Sequence, residues 1–189
     1  MCKKSVVLCI AIFFASLLCY AEEPSNRTVS EKFIANVTER EIKTSPDNRH
    51  VAYFVLAAGK VGIDGKIEKI YGGIKYESFI FSPDSKRVAY IAISKSTDKP
   101  FVVVDGKEGR QYDFARDLIF SPDSRHVAYE AQVGDKWCMV VNGRQGKKYD
   151  SIISSQGAQI TFDSPTTFQY LATRDINIYL VQEKILSDG

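Results

Sequence analysis

One nine-residue phrase, written three times, restricts this chain more than any other feature. It reads Ser45-Pro46-Asp47-Asn48-Arg49-His50-Val51-Ala52-Tyr53, then Ser82-Pro83-Asp84-Ser85-Lys86-Arg87-Val88-Ala89-Tyr90, then Ser121-Pro122-Asp123-Ser124-Arg125-His126-Val127-Ala128-Tyr129. The copies recur at roughly 40-residue intervals, a spacing typical of arrays of small four-stranded sheets. Proline presets φ for the second position of a turn, the flanking Ser and Asp bond back to nearby main chain, and a β-prone run follows. The phrase is therefore the corner of a hairpin. A second phrase falls between its copies: Asp64-Gly65, Asp105-Gly106 and Asn142-Gly143. Asp-Gly or Asn-Gly between extended runs marks a two-residue hairpin, because both central residues need positive φ. Two hairpins per repeat make four strands.

The strands can be placed on this frame. In the first repeat they are expected at residues 50–56, 61–63 and 67–71. In the second they are expected at 78–81, 88–93, 101–104 and 110–112, and in the third at 118–120, 127–133, 137–141 and 147–149. A fourth copy is degenerate: Ile160-Thr161-Phe162 answers Leu118-Ile119-Phe120, Asp163-Ser164-Pro165 keeps a proline corner with its order scrambled, and strands follow at 168–173 and 176–182. This copy lacks an Asp-Gly hairpin and stops one strand short, as terminal repeats do. The strands after the corners are apolar on both faces, so each sheet must be covered on both sides. Alanine at Ala52, Ala89, Ala128 and Ala172 would let neighbouring sheets approach closely. Radial stacking of small sheets meets these demands, which makes the expected fold an all-β propeller of four-stranded antiparallel blades, four in number. A stretch at residues 32–36 would close the last blade by pairing with 177–182, because an unpaired edge is an aggregation liability. The repeats span about residues 42–73, 78–113, 118–150 and 159–183 of a domain covering 32–189.

The amino terminus reads as a targeting segment. Lys3 and Lys4 precede an apolar run at residues 6–18, and Cys19-Tyr20-Ala21 offers a cleavage site before Glu22. Residues 1–21 are thus expected to be a signal peptide and 22–31 a flexible leader, giving a periplasmic or extracellular protein. The alternative is lipid attachment at Cys19. No second apolar run is long enough to span a membrane. The formal charge of +2 resides in Lys3 and Lys4, so the chain beyond them is nominally neutral and carries no electrostatic case for nucleic acid. Beyond the signal the sole cysteine is Cys138, between Trp137 and Met139, which reads as a small buried hydrophobe. Asn26-Arg27-Thr28 and Asn36-Val37-Thr38 fit the glycosylation pattern.

The corner phrase resembles the WD40-like repeat of TolB-type β-propellers, found in periplasmic TolB proteins and in propeller domains attached to prolyl-oligopeptidase-type peptidases. The resemblance covers residues 42–181 and implies a propeller, with no single activity attached, since propellers host unrelated roles. The chain departs from the family where glycine usually follows the Asp; here Asn48, Ser85 and Ser124 stand instead, so the corner accepts an uncomfortable φ or another turn type.

Candidate chemistry is sparse. Asp47, Asp84 and Asp123 could hint at a metal, but each has a turn-capping role and adjacent corners are expected to lie too far apart to share an ion. His50 and His126 stand where the second repeat has Arg87, so the position reads as an exposed basic site; zinc spacings are absent. Ser121, Asp123 and His126 contain the residue types of a triad, yet the first repeat has the same set, and a structural repeat explains both. No catalytic residue, cofactor or metal is assigned. The corner and Asp-Gly hairpins share one rim, nearly identical between blades; the other rim varies at residues 72–77, 94–100, 113–117, 134–136 and 150–157. Variable loops on a rigid scaffold carry recognition, which selects Lys75, Glu77, Asp113, Arg116 and Asp117 as the candidate site. The expected function is that of a monomeric, non-catalytic scaffold for a protein or polar ligand. The alternative is the propeller part of a peptidase or hydrolase system, or a small propeller enzyme.

Overall fold

The computed structural model describes residues 30–31, 33, 42–55, 59–154 and 159–186, and all of its strands lie in the unit Ile34–Gly189. There are four antiparallel sheets and, among the described residues, no helix. The first sheet is β1 (Ile42–Thr44), β2 (Val51–Val55), β3 (Lys60–Ile63) and β4 (Lys66–Ile67), in that order. The second is β5 (Gly73–Phe81), β6 (Val88–Ile93), β7 (Pro100–Val104) and β8 (Lys107–Gln111). The third repeats the pattern with β9 (Phe114–Phe120), β10 (Val127–Val133), β11 (Lys136–Val141) and β12 (Arg144–Tyr149). The fourth sheet differs: β13 (Ser151–Ile153) and β14 (Thr161–Phe162) share one edge of β15 (Thr167–Arg174), and β16 (Asn177–Lys184) lies on the other. Its first strand is split and a strand beyond β16 is missing among the described residues, as the absent Asp-Gly hairpin predicts.

The turns form as their residues dictate. Asp64, Asp105 and Asn142 take φ of 49°, 50° and 50°, each followed by a glycine at positive φ. At the corners Asn48, Ser85 and Ser124 also adopt positive φ, at 56°, 64° and 66°. The chain thus keeps the turn that glycine usually serves, and a further contact explains the serines: Asp47 N donates to Ser85 Oγ at 3.1 Å, and Asp84 N donates to Ser124 Oγ at 3.0 Å. Each serine clasps the corner of the preceding blade, which offsets its strained backbone with a hydrogen bond that glycine cannot make.

Three apolar cores alternate with the sheets. The first to second junction buries Ala52, Phe54 and Val61 against Phe79, Tyr90 and Val103. The next joins Ala89, Ile91 and Val102 to Tyr129, Ala131 and Cys138, and the last joins Ala128 and Met139 to Phe168, Tyr170 and Ala172. One tyrosine pair crosses each junction edge to face: Tyr71–Tyr90, Tyr112–Tyr129 and Tyr149–Tyr170, with ring centroids 6.1, 5.9 and 6.2 Å apart. Burial pushes the Tyr90, Tyr129 and Tyr170 phenols well above the ordinary tyrosine range. Cys138 is fully buried and its thiol is pushed up by burial, as expected of a small hydrophobe.

Two expectations are corrected. The tyrosine pairs align Tyr170 with Tyr90, so Ala172 matches Ala92 and Ala131 rather than Ala52, Ala89 and Ala128. The scrambled fourth corner hid that register. The stretches 73–77 and 114–117, expected from sequence to be loops, are the first halves of β5 and β9, and within the loop expected at 150–157 residues 151–153 form β13. A β-bulge breaks the regular pairing of β5 and of β9, which erased the alternation that marks a strand. The closing stretch 32–36 falls outside the described residues apart from Phe33, as do the signal segment and the two glycosylation motifs.

Candidate functional site

The corner residues are fully committed to structure. Ser121 Oγ donates to Asp123 Oδ1 at 2.6 Å and accepts from His126 N at 2.9 Å, while Arg125 N donates to the same Asp123 oxygen at 3.2 Å. Identical sets tie Ser45 to Asp47 and His50, and Ser82 to Asp84 and Arg87. The serine hydroxyl beside each aspartate holds the Asp47, Asp84 and Asp123 carboxyls below their usual value. A serine that spends its proton on a turn aspartate and its lone pair on a backbone N–H is not an activated nucleophile. The basic position is occupied as well: His50 Nδ1 lies 2.6 Å from Asp64 Oδ2, Arg87 Nε donates to Asp105 Oδ2 at 2.8 Å, and Asn142 Nδ2 meets His126 Nδ1 at 2.8 Å. Each therefore staples the corner to the second hairpin while staying partly exposed. Adjacent corners also touch through the serine clasps. The aspartates are nevertheless spent on their own turns.

The opposite rim is built differently. Between the second and third sheets lies a cleft of about 290 Å³ lined by Lys75, Glu77 and Ser78 of β5, Ile91 of β6, and Ala115 to Leu118 of β9. Four of the five residues selected from sequence, Lys75, Glu77, Arg116 and Asp117, converge here. Bulges bring them together: Ser78 Oγ donates to Lys75 O at 2.6 Å and accepts from Ile91 N at 2.8 Å, which replaces the ladder bonds the bulge removes. Asp117 takes positive φ, 52°, where β9 bends. The fifth residue, Asp113, does not join them; it pairs with Lys99 at 2.9 Å and accepts from Gly134 N at 2.7 Å, contacts that lower its carboxyl below the usual range.

Lys75 and Arg116 play different parts. Lys75 Nζ donates to Ala115 O at 3.1 Å and sits 4.0 Å above the Phe114 ring. Burial lowers its ammonium below the ordinary lysine value, and it has no carboxylate ion pair among the described residues. Arg116 is engaged: Nε donates to Glu130 Oε2 at 2.7 Å, Asp117 Oδ2 lies 3.4 Å away, an Nη2 bond reaches Ile152 O at 3.0 Å, and the guanidinium stacks 4.4 Å from the Trp137 ring.

Sequence reasoning missed Glu130, the partner of Arg116. It is fully buried, and burial, opposed chiefly by Arg116, pushes its carboxyl up to about 7. Its second oxygen makes no hydrogen bond of ordinary geometry, although the Ser154 hydroxyl lies near enough to favour the ionised form. The signal was present: Glu130 occupies the place of Phe54, Ile91 and Leu171 in the other copies, and an acid in a column of hydrophobes is conspicuous once the repeats are stacked.

A larger cavity, about 400 Å³, opens on the repeated rim beside Arg87, Asp105 and Asn142, and similar hollows stand at the neighbouring junctions. Recurrence at all three junctions marks these as the groove left wherever a hairpin overlies the next blade.

No family model and no curated protein matches the chain. Solved structures do. The β-propeller domain of the Trilobed protease from Pyrococcus furiosus, described as having an open velcro topology, aligns over 78% of this chain and 56% of its own, at 16% identity and a TM-score of 0.50. A putative TolB from Agrobacterium tumefaciens aligns over 76% and 60% at 14% identity with a TM-score of 0.40. A putative 6-phosphogluconolactonase from Bacteroides uniformis aligns over 76% and 54% at 14% identity with a TM-score of 0.38. The chain therefore spans little more than half the length of these structures. Its fold is that of a β-propeller, as the resemblance to TolB-type repeats implies.

Proposed function

We propose that this chain is an exported binding scaffold that recognises an anionic group of a partner or polar ligand at the cleft between β5 and β9, and performs no catalysis. The observation that carries this reading is Lys75. Its amine is half-buried over an aromatic ring in a concave site, and among the described residues it has no carboxylate partner, whereas Arg116, the other cation lining the cleft, is paired with Glu130. A carboxylate or similar anion entering the cleft would meet a desolvated ammonium, which strengthens the contact relative to one in open water. Arg116 is a positioning residue: held by Glu130 and Trp137, it fixes the floor of the cleft. Export rests on the basic start and the apolar run of residues 6–18; no described helix is long and apolar enough to cross a membrane.

The test begins with capture of binding partners from the native envelope and medium on the immobilised protein. Lys75→Ala should weaken capture of each specific partner at least tenfold with the melting temperature unchanged, while Lys86→Ala and Arg125→Ala on the repeated rim leave it intact. Loss of capture in the Lys86 or Arg125 variants, with Lys75→Ala unaffected, places recognition on the other face and overturns the reading.

A further inference from the structure

The three internal junctions share one design, and its two halves reappear uncovered at the ends of the array. At each junction the earlier blade presents a cross-strand pair to the later one: Phe54 opposite Val61, Ile91 opposite Val102, and Glu130 opposite Met139, all buried. The equivalent pair in the last blade is Leu171 opposite Leu180. It is apolar like the first two pairs, yet Leu180 is 68% exposed, and Ile178 beside it is 66% exposed.

The later blade answers with a row centred on a tyrosine: Tyr90 opposite Val103 and Tyr129 opposite Val140, again buried. In the first blade that row is complete across four strands, Ile42–Tyr53–Gly62–Ile67. The Tyr53 ring covers Gly62, where a side chain would collide with it. Ile42 and Ile67, at its two ends, are 46% and 58% exposed. The first blade thus retains the receiving half of a junction and the last blade the presenting half. Their exposure shows that they do not cover each other within one chain.

We propose that the presenting face of the fourth blade docks on the receiving face of the first blade in a second copy of this chain, and that two copies closed head to tail form one ring. Continuity with the internal junctions identifies the occupant, since the missing surface for each end is the surface that the other end displays. Twice four blades falls at the upper end of the usual range of about four to eight. The contact is heterologous and closes after two copies, which averts the open filament that such contacts otherwise build. This replaces the monomer expected from sequence, and it is independent of what the cleft binds.

Sedimentation of the protein as recovered from its host, over a dilution series, should give twice the chain mass. Leu180→Arg and Ile67→Arg alter exposed side chains on opposite faces, and each alone should halve that mass without changing the circular dichroism spectrum. Mixing the two variants should restore the double mass, because one junction then combines two unaltered faces; an isologous dimer would not be rescued. A single-chain mass at every concentration overturns the proposal. So do a dimer indifferent to both substitutions, failure of the mixture to recover, and a ladder of higher oligomers.

Discussion

The two rims of the third blade solve the same problem, holding polar groups at a sheet end, in opposite ways. At the corner, Ser121, Asp123 and His126 exchange short hydrogen bonds within one turn, and every donor finds its acceptor a few residues away. At the other rim, Glu130 depends on Arg116 from a neighbouring strand and retains an unsatisfied oxygen. The corner is local and redundant, so it can be copied from blade to blade. The cleft is assembled from distant segments and stands on one ion pair, so it occurs once. Sites that bind are built in the second manner, because a group already satisfied has nothing left to offer a ligand.

The contrast breaks most visibly at Arg116. Arg116→Ala strips a buried carboxylate of its counter-ion and should cost about 2–3 kcal/mol at pH 8, measured by urea unfolding. Lys86→Ala, a surface charge on the repeated rim, should stay within about 0.5 kcal/mol. Equal losses from both would abolish the distinction between the rims.

Glu130 also makes a pH signature. Its carboxyl is raised from 4.5 to about 7 in the folded protein, so between those values the native state binds the proton that the unfolded chain releases. The contribution of Glu130 to stability should therefore be fully present below about pH 4.5, decline as pH rises toward 7 and level off above it, a change of about 1–3 kcal/mol. In Glu130→Gln this decline should vanish from a series of melting temperatures taken across the window. An unchanged slope would assign the pH dependence to other groups.

Smaller effects separate the parts of the corner. Ser121→Ala removes two hydrogen bonds from a buried turn and should cost about 1–2 kcal/mol by denaturant unfolding. Ser124 sharpens the point, since its hydroxyl clasps the preceding blade while its backbone sits at positive φ. Ser124→Ala loses the clasp and keeps the strain, a cost of about 1 kcal/mol. Ser124→Gly loses the clasp but relieves the strain, and should fall within a few tenths of a kcal/mol of the parent. If alanine and glycine behave alike, the clasp and the strain do not offset each other as described.

The amino-acid sequence by itself determined the blade, because everything a corner needs lies within nine residues. Ser-Pro-Asp sets the turn, Asp-Gly sets the second hairpin, and an apolar run on both faces demands sandwiching. These are local rules, indifferent to what lies beyond the repeat. That no strand follows β16 among the described residues was equally legible from the absent Asp-Gly. Four of the five cleft residues followed from comparing the rims, but what each one does there was not legible. Only the tertiary structure showed that Arg116 is engaged by Glu130 and Trp137 while Lys75 has no carboxylate partner among the described residues, that Asp113 turns away to Lys99, and that the serines after the corner aspartates tie one blade to the previous one. Each of those facts joins residues of different strands or blades, and the bulges in β5 and β9 that create the cleft shift the register by which such partners would be guessed. Contacts within a turn are written in sequence order, whereas contacts between blades depend on how faces meet.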